Sequence, residues 1–377
     1  MHVLIATFLA PTSPSGVVTY CRTLAADLAG EGVTVRTVDA STTPRWWCRV
    51  LGVLGRVLRP FGGAVRGAYD EFAFYSSTYF ATRRLRHLAF GVIHAQDVRS
   101  GVAAYRALGG RVPVVLTCHF NDDPVTELVS AYGLGSRATR YLTRWYGYLF
   151  SFVRNYVFVS NYAYEKSQHL LPVGIEKRIL HNTVRLDVAL SRAARAASDP
   201  LVISNVGYID ERKNQQLLLQ IGHELRRRNL SNFAIWLIGD GPKRAEYEAL
   251  ARRLGLGEQV KFYGRQAAPW RLVAQTDLYI HTALNDNCPY SIVEAFAVRT
   301  PVLALPVGGV PELLPVDSGP LRGTDVPTLT DQVAAYFDPA RRERLAQTQA
   351  AFAETHFNHR TALRELITFY YQAAQTA

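Results

Sequence analysis

The stretch Leu278-Tyr279-Ile280-His281-Thr282-Ala283-Leu284-Asn285-Asp286-Asn287-Cys288-Pro289-Tyr290-Ser291-Ile292-Val293-Glu294-Ala295 decides the fold class, together with Thr300-Pro301-Val302-Leu303-Ala304-Leu305 just after it. Leu278–His281 and Pro301–Leu305 are short apolar runs of the kind that become buried strands, and the pattern between them is helical. Strand, loop, helix, strand is the repeat of a parallel sheet covered on both faces. Pro289 suits the first helical position, where a missing N–H is harmless. The amides of Tyr290, Ser291 and Ile292 then lack partners within the helix and favour an anion. Asp286 in the loop and Glu294 in the helix would not hold phosphate, but carboxylates accept hydrogen bonds from sugar hydroxyls. The combination suits a phosphorylated sugar, and it is equally compatible with ordinary α/β construction.

Working outward, short apolar runs alternate with helical patterns along the whole chain. Strands are predicted at His2–Phe8, Thr34–Val38, Val92–Ala95, Val114–Thr117 and Tyr156–Val159. A break rich in Ala, Ser and Arg falls at Ser191–Pro200, and the alternation restarts with strands at Leu201–Val206, Ala234–Ile238, Val260–Tyr263, Leu278–His281 and Val302–Leu305. With 377 residues the chain is long for one core and ample for two. Two successive doubly wound domains with a cleft between them are therefore expected, with ligands at the carboxyl ends of the strands.

Composition narrows the function classes. No run of about 18 apolar residues occurs, so no membrane-spanning helix is expected. The start, Met1-His2-Val3-Leu4-Ile5-Ala6, reads as a first strand and not as a leader. Four scattered cysteines form neither a CxxC pair nor a disulfide framework, which points to a reducing cytoplasm. Residues 1–195 hold 23 Lys and Arg against 12 Asp and Glu, and the rest of the chain is balanced. Arg45, Arg49, Arg56, Arg59 and Arg66 lie among Trp46, Trp47, Val50, Leu51, Val53, Leu54, Val57, Leu58 and Phe61. A second such stretch runs from Arg137 to Arg154. Either would suit an anionic membrane surface, and core-facing helices with solvated arginines are the plainer alternative. No nucleic-acid reading motif accompanies the charge.

Ten segments, in order, resemble the retaining nucleotide-sugar glycosyltransferases of the GT-B fold, family four. They begin with Ser15-Gly16-Val17-Val18, His94-Ala95-Gln96-Asp97, Val115-Leu116-Thr117-Cys118-His119, Val157-Phe158-Val159-Ser160 and His181-Asn182-Thr183-Val184. They continue with Gly207-Tyr208-Ile209-Asp210-Glu211-Arg212-Lys213-Asn214, Gly239-Asp240-Gly241-Pro242, Gly264-Arg265, the Asp286–Glu294 segment and Gly308-Gly309-Val310-Pro311-Glu312. The resemblance implies an acceptor domain over 1–190 completed by a crossing helix in 360–377, and a donor domain over 196–358. It implies transfer of a sugar from a UDP- or GDP-linked donor to an acceptor hydroxyl with retention, without a metal or other cofactor; the chain has no Asp-x-Asp motif. The acceptor is expected to be a glycan, most often a lipid-linked one in bacterial surface polysaccharide or lipopolysaccharide synthesis, with the protein peripheral on the inner face of the cytoplasmic membrane. A small soluble acceptor, a non-catalytic sugar-nucleotide binder and a sugar-nucleotide epimerase are the alternatives.

Site residues follow from the same resemblance. Lys213, with Arg212 beside it, is expected on the donor diphosphate, where a fixed cation stabilises charge building on the leaving group. Tyr208 stands where the family usually has Arg. Glu294 is expected on the ribose hydroxyls, and Asp286, where the family usually has Glu, on the transferred sugar. Backbone around Pro289, Tyr290 and Ser291 would hold phosphate or sugar oxygens. His119 is expected beside the reacting sugar, Gly16 where backbone amides approach phosphate or acceptor, and Arg265 near the base. Arg299 replaces a small family residue for no reason visible in the sequence. The sequence offers no clear carboxylate nucleophile, so front-face attack is the expected route to retention.

Overall fold

The computed structural model describes residues 1–13, 15–185 and 199–376. The expected break at Ser191–Pro200 falls almost wholly outside these residues, as do the expected domain limits at 190 and 196. The chain separates into two compact units, Met1–His181 with Arg360–Ala377, and Asn182–His359.

The first unit is built on β1 (His2–Ala6), β2 (Thr34–Val38), β3 (Val92–Ala95), β4 (Val114–Cys118), β5 (Asn155–Phe158) and β6 (Glu176–Ile179). All pair in parallel, in the order β2-β1-β3-β4-β5-β6. Parallel neighbours need long crossovers. These are α1 (Gly16–Gly30), α2 (Arg45–Leu58), α3 (Gly63–Arg83), α4 (Val98–Ala107), α5 (Pro124–Tyr132), α6 (Ser136–Phe150) and α7 (Asn161–Ser167). β3, β4 and β5 are buried throughout and mostly apolar, as strands covered on both faces are. The edge strands differ. β2 is mostly exposed, and β6, Glu-Lys-Arg-Ile, carries three charges that blunt an open edge. That charge is why apolar patterning does not reveal β6.

In the second unit, β7 (Leu201–Val206), β8 (Phe233–Ile238), β9 (Val260–Gly264), β10 (Leu278–His281) and β11 (Val302–Ala304) form a parallel sheet in the order β11-β10-β7-β8-β9. Its helices are α8 (Gln215–Arg227), α9 (Arg244–Arg253), α10 (Trp270–Val273), α11 (Tyr290–Ala297), α12 (Val326–Ala334) and α13 (Pro339–His356). The winding direction reverses between β7 and β10, so the loops leaving those two strands part from one another. Such a reversal is where doubly wound sheets open a binding crevice. In the first unit the reversal lies between β1 and β3.

The last helix, α14 (His359–Gln375), joins the first unit. Leu366, Phe369, Tyr370 and Ala373 recur every three or four residues, and this stripe is buried with Val3, Ile5, Leu24, Leu28, Val92, Val115 and Val157.

Two local details correct the sequence reading. Pro289 is not the first helical residue. It caps α11 in extended geometry, and its carbonyl accepts from Ile292 N at 3.2 Å, so the Ile292 amide is not free. Arg299 is left-handed (φ 58°), with Arg299 N bonded to Phe296 O and Thr300 N to Ala295 O. This is the reversal that commonly closes a helix and favours glycine, so arginine is strained there.

Candidate functional site

The loop after β7 is fixed chiefly through its backbone. Asp210 Oδ1 accepts from Lys213 N at 2.7 Å, Thr282 Oγ1 donates to Lys213 O at 2.9 Å, and Asn214 takes the left-handed conformation that starts α8. Arg212 O accepts from Leu284 N at 2.8 Å, and Arg212 Nη1 donates to Asn285 O at 3.0 Å. These contacts lace the loop after β7 to the loop after β10, at the reversal point of the sheet. Lys213 and Asp286 are thereby brought together from 73 residues apart.

Their charges meet directly. Lys213 Nζ donates to Asp286 Oδ2, and both side chains are almost wholly buried. The same oxygen lies 3.1 Å from His281 Nε2. His281 Nδ1 is 3.2 Å from the Tyr279 hydroxyl, which donates to Ser291 Oγ at 2.8 Å in the first turn of α11. Tyr279 and His281 are two residues apart on β10 and so share a face. A continuous chain of contacts thus runs Lys213–Asp286–His281–Tyr279–Ser291. Asp286 is held from behind as well. Its carbonyl accepts from Gly309 N at 3.0 Å, and a Cβ on Gly308 (φ +57°) would stand 2.1 Å from that same carbonyl. Only glycine fits there.

Electrostatics follow from this burial. Desolvation would raise the Asp286 carboxyl, but Lys213 and His281 outweigh it and hold the group below the usual carboxylate range. Burial lowers His281, and Asp286 only partly offsets this. Burial pushes the Tyr279 phenol up, and it lifts the Cys288 thiol to about 12. Glu294, on α11, is half-buried and makes no side-chain hydrogen bond among the described residues, and burial lifts its carboxyl to about 7. Glu294 stands three residues beyond Ser291 on α11, so the two are neighbours on the surface of that helix.

The remaining expected residues are placed as follows. Pro289 and Ser291 are buried at the start of α11, and Tyr290 is half-buried. Tyr208 is exposed. Arg265 follows β9, two strands from β7, and is exposed. In the first unit Gly16 is the exposed first residue of α1, behind the cap that Ser15 Oγ gives Val17 N at 3.2 Å. His119 lies just past β4. Its Nε2 is 2.8 Å from Gln96 Oε1 and its ring meets Tyr20 edge-on at 4.9 Å. Burial lowers its pKa to about 3, so the imidazole is neutral and offers hydrogen bonds without charge.

Further groups are given no role by the sequence reading, although His94 and Asp97 stand in a segment it quotes. His281 and Tyr279 sit inside a strand that apolar patterning marks only as core. Beneath His119, His94 Nε2 lies 2.6 Å from Thr117 Oγ1 and its Nδ1 meets the Tyr370 hydroxyl of α14. Arg99 pairs with Glu71, stands 3.5 Å from Asp97 and lies over Phe8 at 4.5 Å, while Tyr146 donates to Glu71 at 3.1 Å. Pairing of Glu71 with Arg99 across 28 residues leaves no local signal.

Comparison with known proteins gives this geometry a family. The family model described as "Glycosyltransferase Family 4" matches residues 14–188, and that described as "Glycosyl transferases group 1" matches residues 189–317. The chain belongs to the GT-B glycosyltransferases of the family-four type. It is 26% identical over 166 residues to the lipopolysaccharide core biosynthesis glycosyltransferase LpsD of Rhizobium meliloti, covering 43% of this chain and 47% of LpsD. The chain spans less than half the length of the curated relatives it matches. Among solved structures, Anabaena HepE in complex with UDP and glucose aligns with a TM-score of 0.70 at 17% identity over 98% of both chains. Sucrose-phosphate synthase of Thermosynechococcus elongatus aligns at 0.75, also at 17% identity, over 100% of this chain and 99% of its own.

Proposed function

We propose that the chain is a retaining hexosyltransferase that moves a sugar from a nucleoside diphosphate to the hydroxyl of a glycan acceptor. The observation that carries this is the buried Lys213–Asp286 pair at the reversal point of the second sheet, with Glu294 on the helix that follows Asp286. Lys213 and Arg212 take the diphosphate, Glu294 accepts from ribose hydroxyls once ionised, and Asp286 accepts from a hydroxyl of the transferred sugar through Oδ1. Departure of the diphosphate breaks the anomeric C–O bond, and the acceptor oxygen bonds to the same face of that carbon. The acceptor proton passes to the departing phosphate oxygen, so the products are a glycoside and a nucleoside diphosphate. Charge builds on the diphosphate during this step, and a cation already fixed in place stabilises it without reorganisation.

A uridine nucleotide is the first donor to test, since the similar HepE was solved with UDP and glucose. LpsD serves lipopolysaccharide core synthesis, which favours a lipid-linked surface glycan over a small soluble acceptor. No helix among the described residues is long and apolar enough to cross a membrane, and the basic first unit suits peripheral attachment to the anionic inner face of the cytoplasmic membrane. Tyr208, exposed where the family usually has arginine, favours one second reading, a sugar-nucleotide binder without turnover. Incubation with UDP- and GDP-sugars separates the two. Catalysis releases free nucleotide, whereas a binder gives only a ligand-dependent rise in melting temperature. Neither response with any donor would end both readings.

A further inference from the structure

Between Asp39 and Asp70 the chain has five arginines and no acidic residue, and this is the segment that forms α2 and opens α3. α2 buries one face only. Leu51 and Gly55 are covered, and Trp47, Leu54 and Leu58 are half-covered, against Tyr69 and Ala73 of α3. Trp47 Nε1 ties the pair together by donating to Ser76 Oγ at 3.0 Å.

A second apolar stripe on the same helix is largely exposed, although Trp46 meets Phe80 of α3 edge-on at 5.1 Å. Trp46, Val50, Val53 and Val57 recur every three or four residues and so lie on one face, and Phe61 follows them in the 3-10 turn after α2. Trp46 is 54% exposed, Val53 57%, Val57 56% and Phe61 70%. Exposed apolar residues are ordinary when scattered, but four in register on one helix, with Phe61 in the turn just beyond it, are a patch. Alongside runs a third stripe, Arg45, Arg49 and Arg56, exposed and without ion pair or hydrogen bond among the described residues. Arg59 and Arg66, by contrast, stand 3.4 Å and 4.0 Å from Asp70.

The hairpin also has a defined place on the first unit. Phe74 of α3 meets Phe8, just past β1, at 4.5 Å, and Glu71 pairs with Arg99 at the start of α4, just past β3. The start of α3 and the end of α2 therefore overhang the carboxyl edge of the sheet, the edge that carries His119.

We infer that the α2–α3 hairpin is a docking element for an anionic lipid bilayer. Trp46, Val50, Val53, Val57 and Phe61 enter the interface, and Arg45, Arg49 and Arg56 meet the headgroup phosphates. An apolar face bordered by unpaired arginines fits a surface that is apolar below and negative above. A second copy of this chain would bring the same arginines together. Docking turns the His119 edge of the first unit towards the bilayer, where a lipid-linked acceptor presents its sugar. The inference deepens the membrane reading of the preceding section and rests on it.

The test is co-sedimentation of the full chain with phosphatidylcholine vesicles, with and without phosphatidylglycerol. Wild type binds the anionic vesicles and is released by salt. The triple variant R45Q/R49Q/R56Q partitions about 100-fold more weakly, since each arginine near an anionic surface contributes roughly a five-fold factor. V53S/V57S/F61S loses binding by at least ten-fold while its gel-filtration volume and its UDP-dependent thermal shift are unchanged. If wild type binds and both variants bind equally well, the hairpin is not the docking face, although the membrane reading survives. If wild type ignores anionic vesicles, both fail. If wild type is a dimer that V53S/V57S/F61S turns into a monomer, the stripe belongs to a protein interface and the inference is overturned.

Discussion

Replacing Asp286 by Asn isolates the pair on which the donor site is built. Asp286 Oδ2 receives both Lys213 Nζ and His281 Nε2, and neither partner of the ion pair is more than slightly exposed, so solvent screens it little. Breaking a buried pair by removing one charge leaves the other uncompensated, typically at 3–5 kcal/mol. Asn keeps one oxygen for Lys213 but none of the charge, so a loss of about 3 kcal/mol is expected in chemical denaturation without nucleotide. The sign with pH is fixed. The folded carboxyl is held below the unfolded value of about 3.9, so its stabilisation is complete above roughly pH 4 and is lost as pH falls further. Wild type and D286N should therefore differ most at neutral pH and converge in acid. A diphosphate is also an anion, and in D286N it restores to Lys213 the counter-charge that Asn lacks. Saturating UDP should then stabilise D286N by about 1–2 kcal/mol more than it stabilises wild type, while turnover collapses. The assay is denaturation of both proteins with and without UDP. An equal or smaller UDP effect in D286N would show that Lys213 does not face the diphosphate, and the donor site would have to be redrawn.

Three other outcomes are expected. Glu294 titrates near 7 in the fold, above its unfolded value, so the folded state holds the proton more tightly and ionisation destabilises it as pH rises through 7. E294Q should thus be about 1–2 kcal/mol more stable than wild type at pH 8, discounted for partial exposure, yet bind nucleotide roughly ten-fold more weakly by calorimetry. His94 and His119, both lowered to about 3 by burial, keep their stabilisation above the unfolded value of about 6.5 and lose it on acidification. Melting temperature should fall between pH 7 and 5, with buried His281 adding to the fall, and H119N should flatten it by removing one of these titrations. Arg299 holds a left-handed backbone for which glycine is better suited, so R299G should gain about 1 kcal/mol in denaturant titration; a loss would refute the strain argument.

Much of the fold was legible because buried parallel strands leave short unbroken apolar runs. Of the eleven strands among the described residues, ten lie where the sequence reading expects one, and the charged edge β6 does not announce itself. The candidate site was legible in part. Lys213, Asp286 and Glu294 stand in loops and helix starts beside strand ends, where a polar residue attracts notice. His281 and Tyr279 stand inside β10, where composition says only core, although both connect Asp286 to Ser291. That Lys213 is already neutralised by Asp286 was not legible at all, because it depends on two loops meeting across 73 residues. The exposure of the α2 stripe is likewise a matter of what α3 leaves uncovered, which no periodicity can report.

The docking of α14 onto the first unit sets an order on biosynthesis. The second unit is one continuous segment and can fold as soon as it leaves the ribosome. The first unit cannot complete itself when its own strands emerge. Until residues 360–375 arrive, Val3, Ile5, Val92 and Val115 lack the cover of Leu366, Phe369 and Tyr370, and His94 lacks the hydroxyl that meets Nδ1. The nascent chain must therefore carry an open apolar wall through the whole synthesis of its second half. A chain stopped at residue 358 should be captured by chaperones and cleaved within the first 180 residues, while its second unit stays resistant to protease.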